Sequence, residues 1–443
     1  MVAHNALASL DRPEPLFPAG HPLGRLVRPT FDTLRRSLRD MYVATIWVDA
    51  VEDPSRAGFR PSYDSLRGPG SALMMPFVGA WLSTGPGSER GGNTVFFMEG
   101  MDLTLVDYAK RVGLLGAYEL VPSVRAMKER VRQRGGRLYD IDDLGVDFDD
   151  CSVVRTDVSR WLNSKEGLDT ITSYGPREVV KDMYEVALAD FEHARGAGGR
   201  VFLKTCNTEN AGSGVFIAAT AAEFEAELAK IRDKQARFGL SRRLVVQPEI
   251  RGTNKSFQVF LDPKAPGEIQ VVALSDQLVE ADGKTYRSSV NHAITRATVE
   301  PVGAAILDMV DHIWARHPEA FGFLMSDYFQ TAAGPVIYDP GLRPTGNTAT
   351  AMAAHLARKL TDRDFATCLL PLPTERPGLT FEAFARRAGV LVDPENLKVD
   401  GRALLPWGWN PVQGFGLVIA VAPEQAALDG LCAEALRFDY GAP

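Results

Sequence analysis

From Arg200 onward, short apolar runs rich in β-branched residues alternate with polar turns and amphipathic stretches, the pattern of a mixed α/β protein. VFLK (201–204) and VFIA (215–218), separated by a polar, glycine-bearing loop, predict a hairpin. Thr220 and Glu223 have capping-box spacing, and the helix they open places Phe224, Leu228 and Ile231 on one face. LVVQ (244–247), KSFQVFL (255–261) and EIQVVAL (268–274) predict strands, followed by a helix from about Pro301 to His317 and two strands around Asp327 and Asp339. Upstream, PREVVKDMYEVALADFEHA predicts a helix from 176, with proline in its first turn and Val179, Val180, Met183, Tyr184 and Leu188 on one face.

The N-terminal part combines an amphipathic stretch (Phe31 to Leu38), a β-like run MYVATIWV (41–48), a glycine-rich section reaching about Asp150, and a helix-like DLTLVDYAKRVGLL. This predicts a separate α/β domain. After about Lys359 the pattern predicts an α/β tail ending in LVIAVA and a short helix.

Composition narrows the function. A chain of 443 residues with 45% apolar content builds two to three domains. A net charge of −7, with Lys and Arg scattered, provides no basic stripe for a phosphate backbone, so nucleic acid is not an expected partner. No apolar run reaches the roughly 18 residues that cross a bilayer, and the start MVAHNALASLDRPEP lacks a cationic head followed by an apolar core. The expectation is a cytoplasmic protein with no membrane contact. Four scattered cysteines form no CxxC and seven histidines form no HExxH, which argues against a zinc site or a disulfide framework.

The stretch VIYDPGLRPTGNT (336–348) carries the chemistry. With Ala332-Ala333-Gly334 as a three-residue turn, Thr331 faces Pro335 and the hairpin register sets Asp327 opposite Asp339. Their Cβ atoms would be about 5 Å apart on one face. Two such carboxylates need a cation, and magnesium, with manganese as a substitute, takes one or two carboxylates together with substrate phosphates. Arg343 then stands beside the metal to hold a phosphate or carboxylate. The pair alone leaves a second reading open, a simple strand-end salt bridge from one aspartate to Arg343.

Lys204 ends an apolar strand, and TENAGSGV (208–215) can turn backbone N–H groups toward phosphates. A snorkelling lysine and a plain flexible hairpin would explain the same residues. GPGSERGG (85–92) lacks the GxGxxG spacing, DGKT (282–285) lacks the earlier glycine of a P-loop and reads as a hairpin turn, and no HRD or DFG accompanies VFLK.

In order and spacing, the segment from Lys165 to Thr348 resembles the ATP-grasp superfamily. NSKEGLDTITSYG looks like its first-lysine helix (Lys165) and VFLK its second-lysine strand (Lys204). TENAGSGV is similar to the glycine loop that closes on phosphates, with Glu209, Gly212, Ser213 and Gly214. LVVQPEIRGTNKSFQV resembles the adenine hinge, which implies that Gln247, Glu249 and Ile250 border the base and that Asn254 stands at the ribose position. FLMSDYF is similar to the strand of the first metal acid, Asp327, and DPGLR answers to the ExNxR motif. Asp339 replaces its glutamate, Gly341 its metal-binding asparagine, and Arg343 matches its arginine; Asn347 is a candidate substitute ligand.

The resemblance implies an ATP-grasp fold of α/β (α+β) class. It would comprise an N-terminal pre-ATP-grasp domain (1–160), a catalytic region (161–359, with a lid about 200–247) and a C-terminal extension (360–443). It implies ATP and magnesium as cofactors and a carboxylate-amine ligase acting through an acyl phosphate, with Arg343 steadying the substrate; Arg287, in the strand-like TYRSSVN, is either a second such group or an exposed strand residue. A homodimer is compatible with the reading. The glycine-rich N-terminal section and the tail are similar to pheganomycin-type peptide ligases, which implies amino acid or peptide substrates. A small-molecule kinase using the same nucleotide site, or a nucleotide-binding protein without turnover, remain the alternatives.

Overall fold

The apolar runs pair into three sheets in the computed structural model. It describes residues 12–44, 94–98, 103–140, 149–176, 178–196, 199–206, 214–238, 241–279, 286–372, 380–410 and 415–437. The run 45–48, GPGSERGG, most of the loop TENAGSGV and DGKT lie outside these residues.

Two short strands come first, β1 (Glu14–Pro15) and β2 (Leu26–Arg28), and β2 pairs in parallel with Ile269 and Gln270. Helix α1 (Phe31–Ser37) is opened by Thr30, whose hydroxyl accepts from Thr33 N at 3.1 Å. β3 (Tyr42–Ala44), β4 (Thr94–Met98), β5 (Ala117–Val121) and β6 (Leu138–Asp140) then form a parallel sheet in the order β5-β4-β3-β6. Parallel neighbours need crossovers, and α2 (Leu103–Arg111) and α3 (Val124–Gln133) alternate with these strands. Met127 and Val131 of α3 pack on Phe96, Val121 and Leu138. The Tyr139 hydroxyl accepts from Phe323 N at 3.1 Å, and that of Tyr108 donates to the Val392 carbonyl at 2.7 Å, tying this sheet to the rest of the chain.

After α4 (Thr156–Asn163) comes a small antiparallel sheet, order β7-β10-β8-β9, made of β7 (Val179–Asp182), β8 (Val201–Thr205), β9 (Val215–Ala218) and β10 (Arg243–Pro248). α5 (Leu188–Arg195) and α6 (Ala221–Phe238) bury Phe191, Phe224, Leu228 and Ile231 against Leu203, Leu244 and Val246. The Thr220–Glu223 box forms as expected, each side chain bonding the other's backbone N–H at 3.2 Å. The helix expected from 176 does not form. Val179 and Val180 are β-branched and pair with Val246 and Val245, and the Asp182 carboxylate accepts from Tyr184 N at 2.9 Å, turning the chain before α5 starts at Leu188. Strand pairing outweighs an accidental helical period, and Tyr184 and Leu188 are exposed.

The third sheet takes β11 (Thr253–Leu261), β12 (Ile269–Val279), β13 (Tyr286–Asn291), β14 (Gly322–Thr331), β15 (Gly334–Leu342), β16 (Ala366–Leu372), β17 (Ala403–Asn410) and β18 (Phe415–Ala422) in the order β15-β14-β11-β12-β13-β16-β18-β17. Helix α7 (Arg296–Arg316) starts five residues earlier than expected, because Thr295 and Thr298 cap it; Pro301 sits in its second turn and removes one backbone bond. α7 packs on Phe257, Val259 and Leu274, whereas α8 (Gly346–Thr361) packs on the alternate residues Phe260, Ala273 and Phe323, so the two helices cover opposite faces. In the tail, α9 (Phe381–Ala388) and α10 (Gln425–Arg437) complete the core, and Trp407 and Trp409 are buried, Trp409 against Phe381 and Phe384. Among the described residues no helix is long and apolar enough to cross a membrane.

Candidate active site

The β14-β15 hairpin brings the two acids together by a different route from the one expected. Its turn has two residues, Ala332-Ala333, with Thr331 opposite Gly334 and Gln330 opposite Pro335. Gly334 holds φ at +120°, and the Thr331 hydroxyl donates to the Gly334 carbonyl at 2.8 Å while accepting from Ala333 N at 3.1 Å, which closes the shorter turn. Continued unchanged, that register would set Asp327 against Tyr338. A β-bulge at Tyr338 inserts one residue, and Asp327 falls opposite Asp339.

Asp327 lies on the α8 face of the sheet. Burial first, and the Asp339 carboxylate second, push its pKa up to about 7, although Gln277 Nε2 donates to it at 2.5 Å and Ser256 and Arg343 also favour its charge. An acid held this far above its ordinary range by burial beside a second carboxylate is a place for a cation. Among the described residues no group of three or more His, Cys, Asp or Glu side chains converges, so the candidate metal site is this pair. Two carboxylates suit magnesium, which keeps other positions for water and phosphate oxygen.

Both predicted lysines reach the pair. Lys165 is not helical: α4 ends at Asn163, Ser164 is an extended cap, and Lys165 follows it, buried, with Nζ 3.9 Å from Asp339 Oδ2. Lys204, on β8 opposite Val215 and Val245, is 5% exposed. Burial lowers its pKa to about 8, with Lys165 adding to the shift, while Asp339, Glu178 and Asp327 oppose it. Glu178 is pushed up to about 7 by burial against the pull of Lys204. Two buried ammonium groups beside an acid pair concentrate charge where a phosphate would be held strongly.

Tyr338, the bulge residue, is a site member the sequence did not single out. Its ring centre lies 4.8 Å from Lys204 Nζ, its hydroxyl donates to Asn254 Oδ1 at 2.8 Å, and it stacks on Phe329 at 4.9 Å. Glu178, Gln277 and Asn163 were missed as well, since each arrives from a distant element.

The remaining candidates are spread more widely. Gln247 is buried in β10, and its Oε1 has no hydrogen-bond partner among the described residues. The Glu249 carboxylate binds the Arg200 guanidinium at 2.6 and 2.9 Å, which lowers its pKa, so its side chain is engaged in an ion pair at the sheet's end. Ile250 is half-buried in the connection to β11. Glu209, Gly212 and Ser213 lie outside the described residues; Gly214 is buried, its carbonyl accepting from Thr205 N at 3.0 Å. Arg287 occupies an irregularity in β13, between Tyr286 and Ser288, which pair with Val279 and Leu278. Arg343 donates from Nη1 to Asn163 Oδ1, and its own carbonyl accepts from Gln258 Nε2 at 3.4 Å. Asn347 lies buried in the first turn of α8, with no hydrogen bond or ion pair to either aspartate.

One polar line crosses the sheet. Asp339, Asp327, Ser256, Ser275 and Asn291 are successive cross-strand partners on β15, β14, β11, β12 and β13. On or beside it, Gln258 Oε1, Ser275 Oγ, Asn291 Oδ1 and Asn347 Oδ1 are buried and have no hydrogen-bond partner among the described residues. Asn291 cannot turn its amide over, because Thr350 and Thr367 both donate to backbone carbonyls and therefore receive its Nδ2, at 2.7 and 3.4 Å.

No protein-family model matches the sequence, and no curated protein matches it. Solved structures match its fold. An ADP complex of purK, N5-carboxyaminoimidazole ribonucleotide synthetase, aligns with a TM-score of 0.51 at 13% identity over 78% of this chain and 90% of that one. N5-carboxyaminoimidazole synthetase from Staphylococcus aureus with ADP gives 0.51 at 10% identity over 79% and 92%. The biotin carboxylase domain of 2-oxoglutarate carboxylase from Hydrogenobacter thermophilus, with MgADP, gives 0.51 at 10% over 77% and 83%. The chain has the ATP-grasp fold.

Proposed function

We propose that the chain is an ATP-dependent ligase that joins a carboxylate to an amine, through an acyl phosphate, with ADP and phosphate as the other products. The observation that carries this reading is the pairing of Asp327 with Asp339 next to the buried ammonium groups of Lys165 and Lys204. Support comes from the fold's neighbours, solved with ADP and in one case with its magnesium salt. Asp327 and Asp339 would hold magnesium; bound there with ATP, it supplies positive charge to phosphate oxygens as charge builds on them. Manganese has the same oxygen preference.

The residues of the chain divide the remaining work. Lys165 and Lys204 hold the nucleotide phosphates, and a phosphate beside Lys204 restores the full charge that burial weakens. Arg343 orients the substrate carboxylate, whose oxygen attacks the γ-phosphorus while the bond to the ADP oxygen breaks. An amine nitrogen then attacks the acyl carbon, loses a proton, and phosphate leaves. The proposed substrates are amino acids or short peptides. Arg287 is a further candidate for steadying the acyl phosphate.

The test is a screen of amino acids and dipeptides with MgATP, recording ADP and the mass of any new amide. ADP with an amide product supports the ligase; a phosphorylated product without an amide identifies a small-molecule kinase.

A further inference from the structure

Position 341 is glycine, and two other side chains take up the space beside it. A Cβ there would lie 2.8 Å from Arg343 Nη1 and 2.8 Å from Asn163 Oδ1. Those two atoms are hydrogen-bonded to each other, the guanidinium donating and the carboxamide oxygen accepting. Any side chain at 341 would push into that bond.

The Asn163 carboxamide is fixed in orientation. Its Nδ2 donates to the Ser159 carbonyl at 2.7 Å and to Ser159 Oγ at 3.0 Å, and because a carbonyl only accepts, the amide oxygen must face Arg343. Asn163 is 8% exposed and closes α4, two residues before Lys165. One helix end therefore sets both the lysine at Asp339 and the partner of Arg343.

That partner is neutral. Among the described residues no carboxylate lies within 4 Å of the Arg343 guanidinium. An arginine held by an amide is aimed without being neutralised, whereas a carboxylate partner would compete with any incoming anion.

We propose that Asn163 is the positioning residue of Arg343, aiming the guanidinium and leaving its charge available for a substrate carboxylate or a phosphate, and that Gly341 exists to let this pair form. The proposal rests on the role given to Arg343 above.

Calorimetry on the intact protein tests it, with MgADP as the first titrant and inorganic phosphate as the second, added at saturating MgADP. Wild type should bind both. Asn163→Asp, which places a carboxylate against Arg343, should weaken phosphate about tenfold or more while changing MgADP by less than about twofold. Asn163→Ala should weaken phosphate less than Asn163→Asp does, and Gly341→Ala, which displaces the pair, should weaken it by at least about threefold.

A purely structural hydrogen bond predicts the opposite order, with aspartate serving better than alanine, and that order would overturn the proposal. So would wild type that binds MgADP but no phosphate, or Gly341→Ala with undiminished phosphate affinity. Failure of wild type to bind MgADP would instead count against the nucleotide reading. Thermal unfolding of each variant checks folding, and should Asn163→Asp not fold, Asn163→Ala and Gly341→Ala against wild type decide the question.

Discussion

The ammonium group of Lys204 lies 4.8 Å from the centre of the Tyr338 ring, whose hydroxyl is anchored on Asn254 at 2.8 Å. An aromatic face is a good resting place for a cation that burial has pushed down to about 8. Tyr338→Phe, which keeps the ring, should raise the KM for ATP by no more than about threefold, and Tyr338→Ala by about tenfold. Steady-state kinetics at varied ATP checks this, and equal effects of the two changes would exclude a role for the ring.

The acid pair makes a prediction of opposite sign for activity and stability. Asp327→Asn and Asp339→Asn should each lower kcat by about 100-fold or more, because each removes charge needed for the phosphoryl transfer proposed there. Neither should lower Tm. The folded pKa of Asp327 lies at about 7, above its ordinary 3.8, so the folded state binds an extra proton between those values and stability falls as pH rises through that window. Asp327→Asn abolishes that loss. Urea unfolding at pH 5 and pH 8 in the presence of a chelator should show the variant gaining on wild type at the higher pH.

His355 supplies a pH dependence away from the acids. Burial lowers its pKa to about 4, Arg28 and Arg358 add to the shift, and its ring meets the Val272 carbonyl at 3.1 Å. The unfolded chain takes the proton first, so stability is full above about 6.5 and lost as pH falls toward 4, by on the order of 3 kcal/mol. His355→Gln should flatten denaturant midpoints over that range; an unchanged slope would count against the assignment.

Trp409 separates packing from binding. It is 1% exposed against Phe381 and Phe384, so Trp409→Ala should cost about 3–5 kcal/mol in chemical unfolding. If the proposed function holds, the KM for ATP of the folded variant should stay within about twofold of wild type.

What could be read beforehand was what local chemistry decides. The VFLK–VFIA hairpin and the Thr220–Glu223 cap depend on residues a few positions apart, and both formed. The facing of Asp327 and Asp339 was reached through the wrong turn, a three-residue loop standing in for a two-residue turn plus a bulge, since both insert one extra residue. A bulge leaves no local signature; here Tyr338 is engaged by Phe329 across the hairpin and by Lys204 and Asn254, both distant in sequence. Val179 to Asp182 was misread for the same reason, its strand state being settled by β10, more than sixty residues away. Asn163, Glu178 and Gln277 carry no motif of their own and become visible only when α4, the segment before β7, and β12 come together around the hairpin.

The most direct test of the ligase account is the fate of ATP with a productive acid and amine. Cleavage at the γ-phosphorus should yield one ADP and one phosphate per amide, and hydroxylamine in place of the amine should trap the activated acid as a hydroxamate. Lys204→Ala should suppress both signals together. AMP with pyrophosphate in step with amide formation, or a phosphorylated product with no amide, would contradict the account.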